Sequence, residues 1–166
     1  TFIGSGVTGF DEAASGATGV YLRRGSRGTF NNILVTRFLT QAALFADAGT
    51  IAQATGGNIK MDGLLMWNAG ATNTLAGQLP NADTRNFATG NQNAVNFVVA
   101  DPKLARIGTY SDPDFSSLFG SPAFAAGAVQ PPDDGFFNQS ARFVGGIGTE
   151  DWTEEWTSYL VDADLR

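Results

Sequence analysis

Apolar residues fall along this chain in short runs bounded by glycine. Val20 and Leu22 alternate with Tyr21, the two-residue period of a strand with one buried face. Arg23-Arg24-Gly25-Ser26-Arg27-Gly28 comes next as a polar corner. Its two glycines can take positive φ. A second apolar run extends from Thr29 to Thr36. The same order recurs downstream: Ala43-Leu44-Phe45, then Asp47-Ala48-Gly49, then Asn58 to Asn68. Each unit reads as strand, corner, strand. A unit of this kind buries its inward face only by stacking on another copy, which predicts stacked turns. In that reading Leu22 aligns with Leu44 and Ile33 with Leu64. The nine extra residues fall in the Thr50–Gly57 region, where Thr50-Ile51-Ala52-Gln53-Ala54 reads as a helical turn at one corner.

The rest of the chain is less regular. Residues 71–94 are polar, rich in Ala, Thr, Asn and Gly, and read as a long loop. Asn96 to Ala100 is a further strand, stopped by Asp101-Pro102 because proline removes a ladder donor. Asp112-Pro113, Ser121-Pro122 and Pro131-Pro132 punctuate the C-terminal third. Trp152, Trp156 and Tyr159 recur at helical spacing, so they share one face of an expected aromatic helix that caps the fold. The expected division is 1–128 for the stacked turns and 129–166 for a C-terminal capping segment.

Composition narrows the chemistry. Of 166 residues, 43% are hydrophobic and 16% charged, so the chain is long enough and apolar enough for a core. The net charge is −6, and the clustered cations are Arg23, Arg24 and Arg27. A positive footprint for nucleic acid or an anionic membrane is missing. No apolar run is long enough for a membrane-spanning helix. The chain has no Cys, hence no disulfide and no thiolate site. It has no His, the commonest general base and neutral metal ligand. The first residue is Thr1, and Thr1-Phe2-Ile3-Gly4-Ser5-Gly6 reads as a strand entering a turn. That start predicts a chain that begins part-way through a longer gene product.

Several pieces resemble right-handed parallel β-helix proteins, and more closely a group of largely uncharacterised secreted or surface-attached bacterial proteins. They are Thr1 to Gly6, Leu22 to Phe30, Asn32 to Thr36, Ala100 to Leu104, Gly120-Ser121-Pro122-Ala123, Asp134 to Phe137, Phe143-Val144-Gly145 and Asp151 to Thr157. The resemblance implies an all-β, right-handed parallel β-helix (solenoid) fragment with a loop-rich C-terminal region and a short aromatic cap helix. It also implies further turns before residue 1. Its motifs are structural and bring no catalytic residues.

Parallel β-helices host polysaccharide lyases and hydrolases, so Arg23, Arg24, Asp47, Lys60 and Asp62 are candidates for a carbohydrate site. In it a cation would act as base and carboxylates would hold Ca²⁺. Asp47 and Asp62 are expected on the same side of adjacent strands. No calcium-loop spacing accompanies them. Asp112/Asp114 and Asp133/Asp134 are local turn formers and not a hydrolytic pair. Glu150, Asp151, Glu154 and Glu155 suit a helix N-terminus. Asn138-Gln139-Ser140 matches a glycosylation sequon.

These readings predict a non-enzymatic, extracellular or cell-surface structural protein. Thr1, Phe2 and Ile3 would form an open strand edge that pairs with preceding turns of its own chain or with another copy, head to tail, in a filament or layer. The alternative is a carbohydrate-binding or polysaccharide-degrading protein with a groove of Arg, Asp and aromatic residues. A third reading is an adhesin that uses the 71–94 loop.

Overall fold

The computed structural model describes residues 1–6, 17–108, 112–125 and 128–154. Among the described residues eight strands form: β1 (Phe2–Ile3), β2 (Thr18–Leu22), β3 (Gly28–Thr36), β4 (Gln41–Phe45), β5 (Ile59–Trp67), β6 (Ala94–Val99), β7 (Leu104–Arg106) and β8 (Asp114–Ser117). Three helices join them: α1 (Ala48–Thr55), α2 (Leu75–Gln78) and α3 (Ala82–Gly90).

The largest sheet is parallel, in the order β1-β3-β5-β6. A second parallel pair, β2-β4, faces it. The third pair, β7-β8, is antiparallel. Register in the large sheet builds side-chain columns. Ile33, Leu64 and Phe97 form one, Leu34, Leu65 and Val98 the next, and Val35, Met66 and Val99 the third. In the small sheet Tyr21 pairs with Leu44 and Leu22 with Phe45, one residue away from the alignment the sequence suggests.

The main core lies between the two sheets. Val20, Val35, Ala43, Phe45, Met61, Leu64 and Met66 meet there. Leu79 and Phe87, from the α2–α3 region, close one side of it. Phe87 stands edge-on to Phe45 at 5.1 Å and to Phe97 at 6.4 Å, so one ring joins α3 to β4 and β6. The far face of the large sheet is covered too. Leu34 and Leu65 pack there against Ala123 and Val144. The centres of β3 and β5 are therefore buried on both faces, which explains their unbroken apolar runs.

The expected all-β parallel β-helix is not what forms. The chain is a small α/β domain with three helices and several small sheets. The physical reasons are local. Asp47, Thr74 and Asn81 each sit in extended conformation and accept an amide hydrogen bond from a residue in the following turn. Such caps satisfy donors that a helix start leaves unpaired. Residues 71–94, expected as a loop, hold α2 and α3. After β6 the chain leaves the parallel sheet at Pro102. Lys103 takes a φ of 48°, and β7 then pairs antiparallel with β8. Trp152 lies in a turn, and Trp156 and Tyr159 fall outside the described residues, as does most of the expected cap helix.

A ladder of left-handed residues crosses the large sheet. Asn32, Gly63 and Asn96 have φ of 55°, 74° and 56°, and the register sets them side by side. Each strand bends there. Asn32 also clamps residue 129: its amide donates to Val129 O at 2.7 Å and accepts from Val129 N at 2.8 Å. A Cβ on Gly63 would stand 2.9 Å from Asn32 Oδ1. Gly63→Ala thus adds left-handed strain and crowds the clamp. It should destabilise the fold by about 1–3 kcal/mol, measured by urea denaturation.

Candidate functional site

Of the residues picked out for a carbohydrate site, the structure joins Arg24 to Asp47 and places Lys60 and Asp62 on β5. Arg23 and Arg24 lie at the exposed corner after β2. Arg23 stands 5.7 Å over the Tyr21 ring. Asp47 lies just before α1, where it accepts from Thr50 N at 2.9 Å and from Arg24 N at 2.5 Å. Thr50 Oγ1 in turn accepts from Gly25 N at 3.1 Å. Asp47 therefore ties the Arg23–Gly25 corner to the first turn of α1. Asp62 lies on β5 and accepts from Asn96 Nδ2 at 2.8 Å. Asp47 and Asp62 do not share adjacent strands, because β4 and β5 belong to different sheets. Lys60 is exposed on β5, opposite Thr29. Among the described residues no three Asp or Glu side chains gather into a metal-binding group.

The other acidic pairs also have local partners. Asp112 forms an exposed ion pair with Arg106 at 2.9 Å. Asp114 and Asp134 accept amides two residues on, from Ser116 and Phe136. Asn138 does the same with Ser140. Asp151 accepts from Phe115 N at 2.7 Å and from the Thr153 amide and hydroxyl.

Thr1, Phe2 and Ile3 lie at one edge of the large sheet. Thr1 Oγ1 accepts from Gly146 N at 2.8 Å, and Trp152 Nε1 donates to Gly146 O at 2.7 Å. Phe2 is 46% exposed. The opposite edge is β6, whose Val95 and Val98 are each 43% exposed. Beyond it lies an apolar hollow lined by Ala100, Phe119, Pro122 and Phe124.

One cleft was not visible in the sequence. It lies where β3 and β5 end, with an open volume of about 470 Å³. Arg37, Leu39, Trp67, Asn68, Asp101 and Leu104 are among its lining residues. They come from three separate stretches of chain, so no spacing marks them. The usable signal is that ligands in parallel sheets favour the carboxyl ends of strands.

No protein-family profile, curated protein or solved structure matches the chain. The resemblance to β-helix proteins therefore gains no support from known families, and the α/β architecture contradicts it.

The Arg24 and Thr50 amides hold the Asp47 carboxyl below its ordinary value of 3.8. A carboxylate favoured in the folded state contributes stability above its unfolded value and loses it as pH falls through the depressed folded value. Asp47→Asn should thus lower the thermal midpoint at neutral pH. The gap from the parent should narrow below about pH 4, where the parent carboxylate protonates as well. Thermal melts from pH 2 to pH 7 check this.

Proposed function

We propose that the chain is a non-enzymatic structural module of an extracellular or cell-surface assembly, joined to further copies through the two edges of its parallel sheet. The observation that carries this reading is the pair of edges. β1 and β6 bound the same parallel sheet, and both expose apolar side chains: Phe2 on one, Val95 and Val98 on the other. Uncovered strand edges are templates for pairing. Phe2 lies in the column of Val35, Met66 and Val99. A second copy stacked in the same sense sets its Phe2 beside Val99. Such a head-to-tail contact does not close on itself and propagates as a filament or layer.

The roles of the acidic groups support a structural reading. Asp47, Asp62, Asp114, Asp134 and Asp151 hold backbone or neighbouring side chains in place. Extracellular or surface placement is the same proposal's expectation.

Two-residue β1 supplies few ladder bonds, each about 0.5–1.5 kcal/mol net, so apolar contact must provide most of the affinity. Copies each carrying −6 repel one another, and salt relieves that repulsion. Sedimentation velocity should show association that grows with concentration and with salt. Phe2→Lys and Val98→Lys should each be monomeric alone, and their equimolar mixture should stop at a dimer. A parent that stays monomeric at millimolar concentration and high salt overturns the reading. So does a longer form of the polypeptide in which a preceding segment pairs with β1.

A further inference from the structure

We infer that the cleft at the carboxyl ends of β3 and β5 is a binding site for a neutral saccharide. This site is distinct from the sheet edges and does not depend on assembly. It also shares no residue with the Arg23, Arg24, Asp47, Lys60 and Asp62 set.

The argument begins with the backbone. Thr36 pairs with Trp67 at the last register position of β3 and β5. The next residues, Arg37 and Asn68, both take left-handed φ, 63° and 48°. Asn enters this region readily and Arg rarely does, so the two strands turn at the same level and Arg37 carries the strain. Strain of this kind collects at binding sites, where the turn it makes is what opens the space. Here the turn lies on the cleft, whose volume of about 470 Å³ falls in the range of small-ligand pockets.

The lining has two kinds of surface. Phe38, Leu39, Pro102, Leu104 and Ile107 are apolar, and Trp67 adds a half-buried indole. Against these stand polar groups with unused capacity. The Trp67 indole N–H has no acceptor among the described residues. Asn68 accepts from Asn73 Nδ2 through Oδ1, which leaves its own amide N–H groups available. Asp101 Oδ1 accepts from Lys103 N, and its second oxygen has no donor among the described residues. Two donors and one charged acceptor beside an aromatic and apolar surface match a sugar. Its ring carries a C–H face that packs on apolar and aromatic groups and a rim of hydroxyls that both donate and accept.

Charge selects among saccharides. The Arg37 guanidinium donates to Ser5 O at 2.9 Å and to Ile107 O at 2.8 Å, so two of its five N–H groups hold the wall while its positive charge stays at the cleft. Asp101 adds a negative charge. Arg37 and Asp101 offset each other, so a uronate or sulfated sugar gains no net attraction and is repelled by that carboxylate. A neutral sugar would use it as a strong acceptor.

Titration calorimetry with neutral oligosaccharides (gluco-, manno-, xylo- and N-acetylglucosamine series) and with oligouronates tests the inference. NMR on labelled full chain locates the contact. Saturable binding is expected for at least one neutral series, with amide shifts at residues 36–39, 67–70 and 101–107. Asp101→Asn, an exposed change, should weaken it about tenfold. Trp67→Phe should also weaken it while thermal melting shows the fold intact. Binding to oligouronates alone, binding that Asp101→Asn and Trp67→Phe leave unchanged, shifts confined to other residues, or no saturable binding in any series would each overturn it.

Discussion

The parallel ladder between β3 and β5 is the constraint on which the rest of this molecule depends. Its centre, Ile33 to Val35 against Leu64 to Met66, is buried on both faces. Parallel strands need covering layers because neither face tolerates water. One layer is the β2-β4 pair with Phe87 at its side. The other is the C-terminal stretch that supplies Ala123 and Val144. Removing either layer would expose apolar columns that no other described element covers. The helices, the C-terminal stretch and the cleft all take their places from this one ladder.

The strands were legible in the sequence because their signal is local. Val20-Tyr21-Leu22 alternates, and Ile33–Val35 and Leu64–Met66 are continuous apolar runs flanked by polar corners. The register sets Ile33 beside Leu64, the spacing of 31 visible between the two runs. The architecture was not legible, because it depends on what joins the strands. α3 exposes a polar face and buries only Thr84 and Phe87, so it looks like a loop. Its signal was Asn81 followed by Asp83 and Thr84, a helix start written in polar residues. Asp47 is a similar case. Asp47-Ala48-Gly49-Thr50 is a cap, and the carboxylate that resembles a ligand is bonded to three backbone or hydroxyl donors. The cleft is hidden for a different reason: Arg37, Trp67 and Asp101 meet only through strand register and the turn at Pro102.

Buried polar groups in the α2–α3 region show how a stretch so rich in Asn, Thr and Gln joins a core. Gln78 is fully buried, yet its oxygen accepts from Ala69 N at 3.0 Å and its nitrogen donates to Thr72 O at 2.8 Å. Thr84 Oγ1 accepts from Phe45 N at 3.0 Å and is within bonding distance of Asn81 Oδ1. These side chains replace ladder partners that the end of β4 and the segment after β5 would otherwise lack. A satisfied polar network of this kind specifies one arrangement, since any slip leaves buried groups unpaired.

The clamp between Asn32 and Val129 has a consequence for synthesis. The two residues lie 97 positions apart, and Val144, which covers Leu34 and Leu65, comes later still. A growing chain can pair β3 with β5 long before that cover emerges. During the interval the outer columns of the sheet face solvent as an apolar surface, at a few to tens of residues added per second. Nascent chains of this protein therefore pass through a sticky stage whose length is set by the distance from β5 to Val144. Chaperone dependence should fall once that residue clears the ribosome.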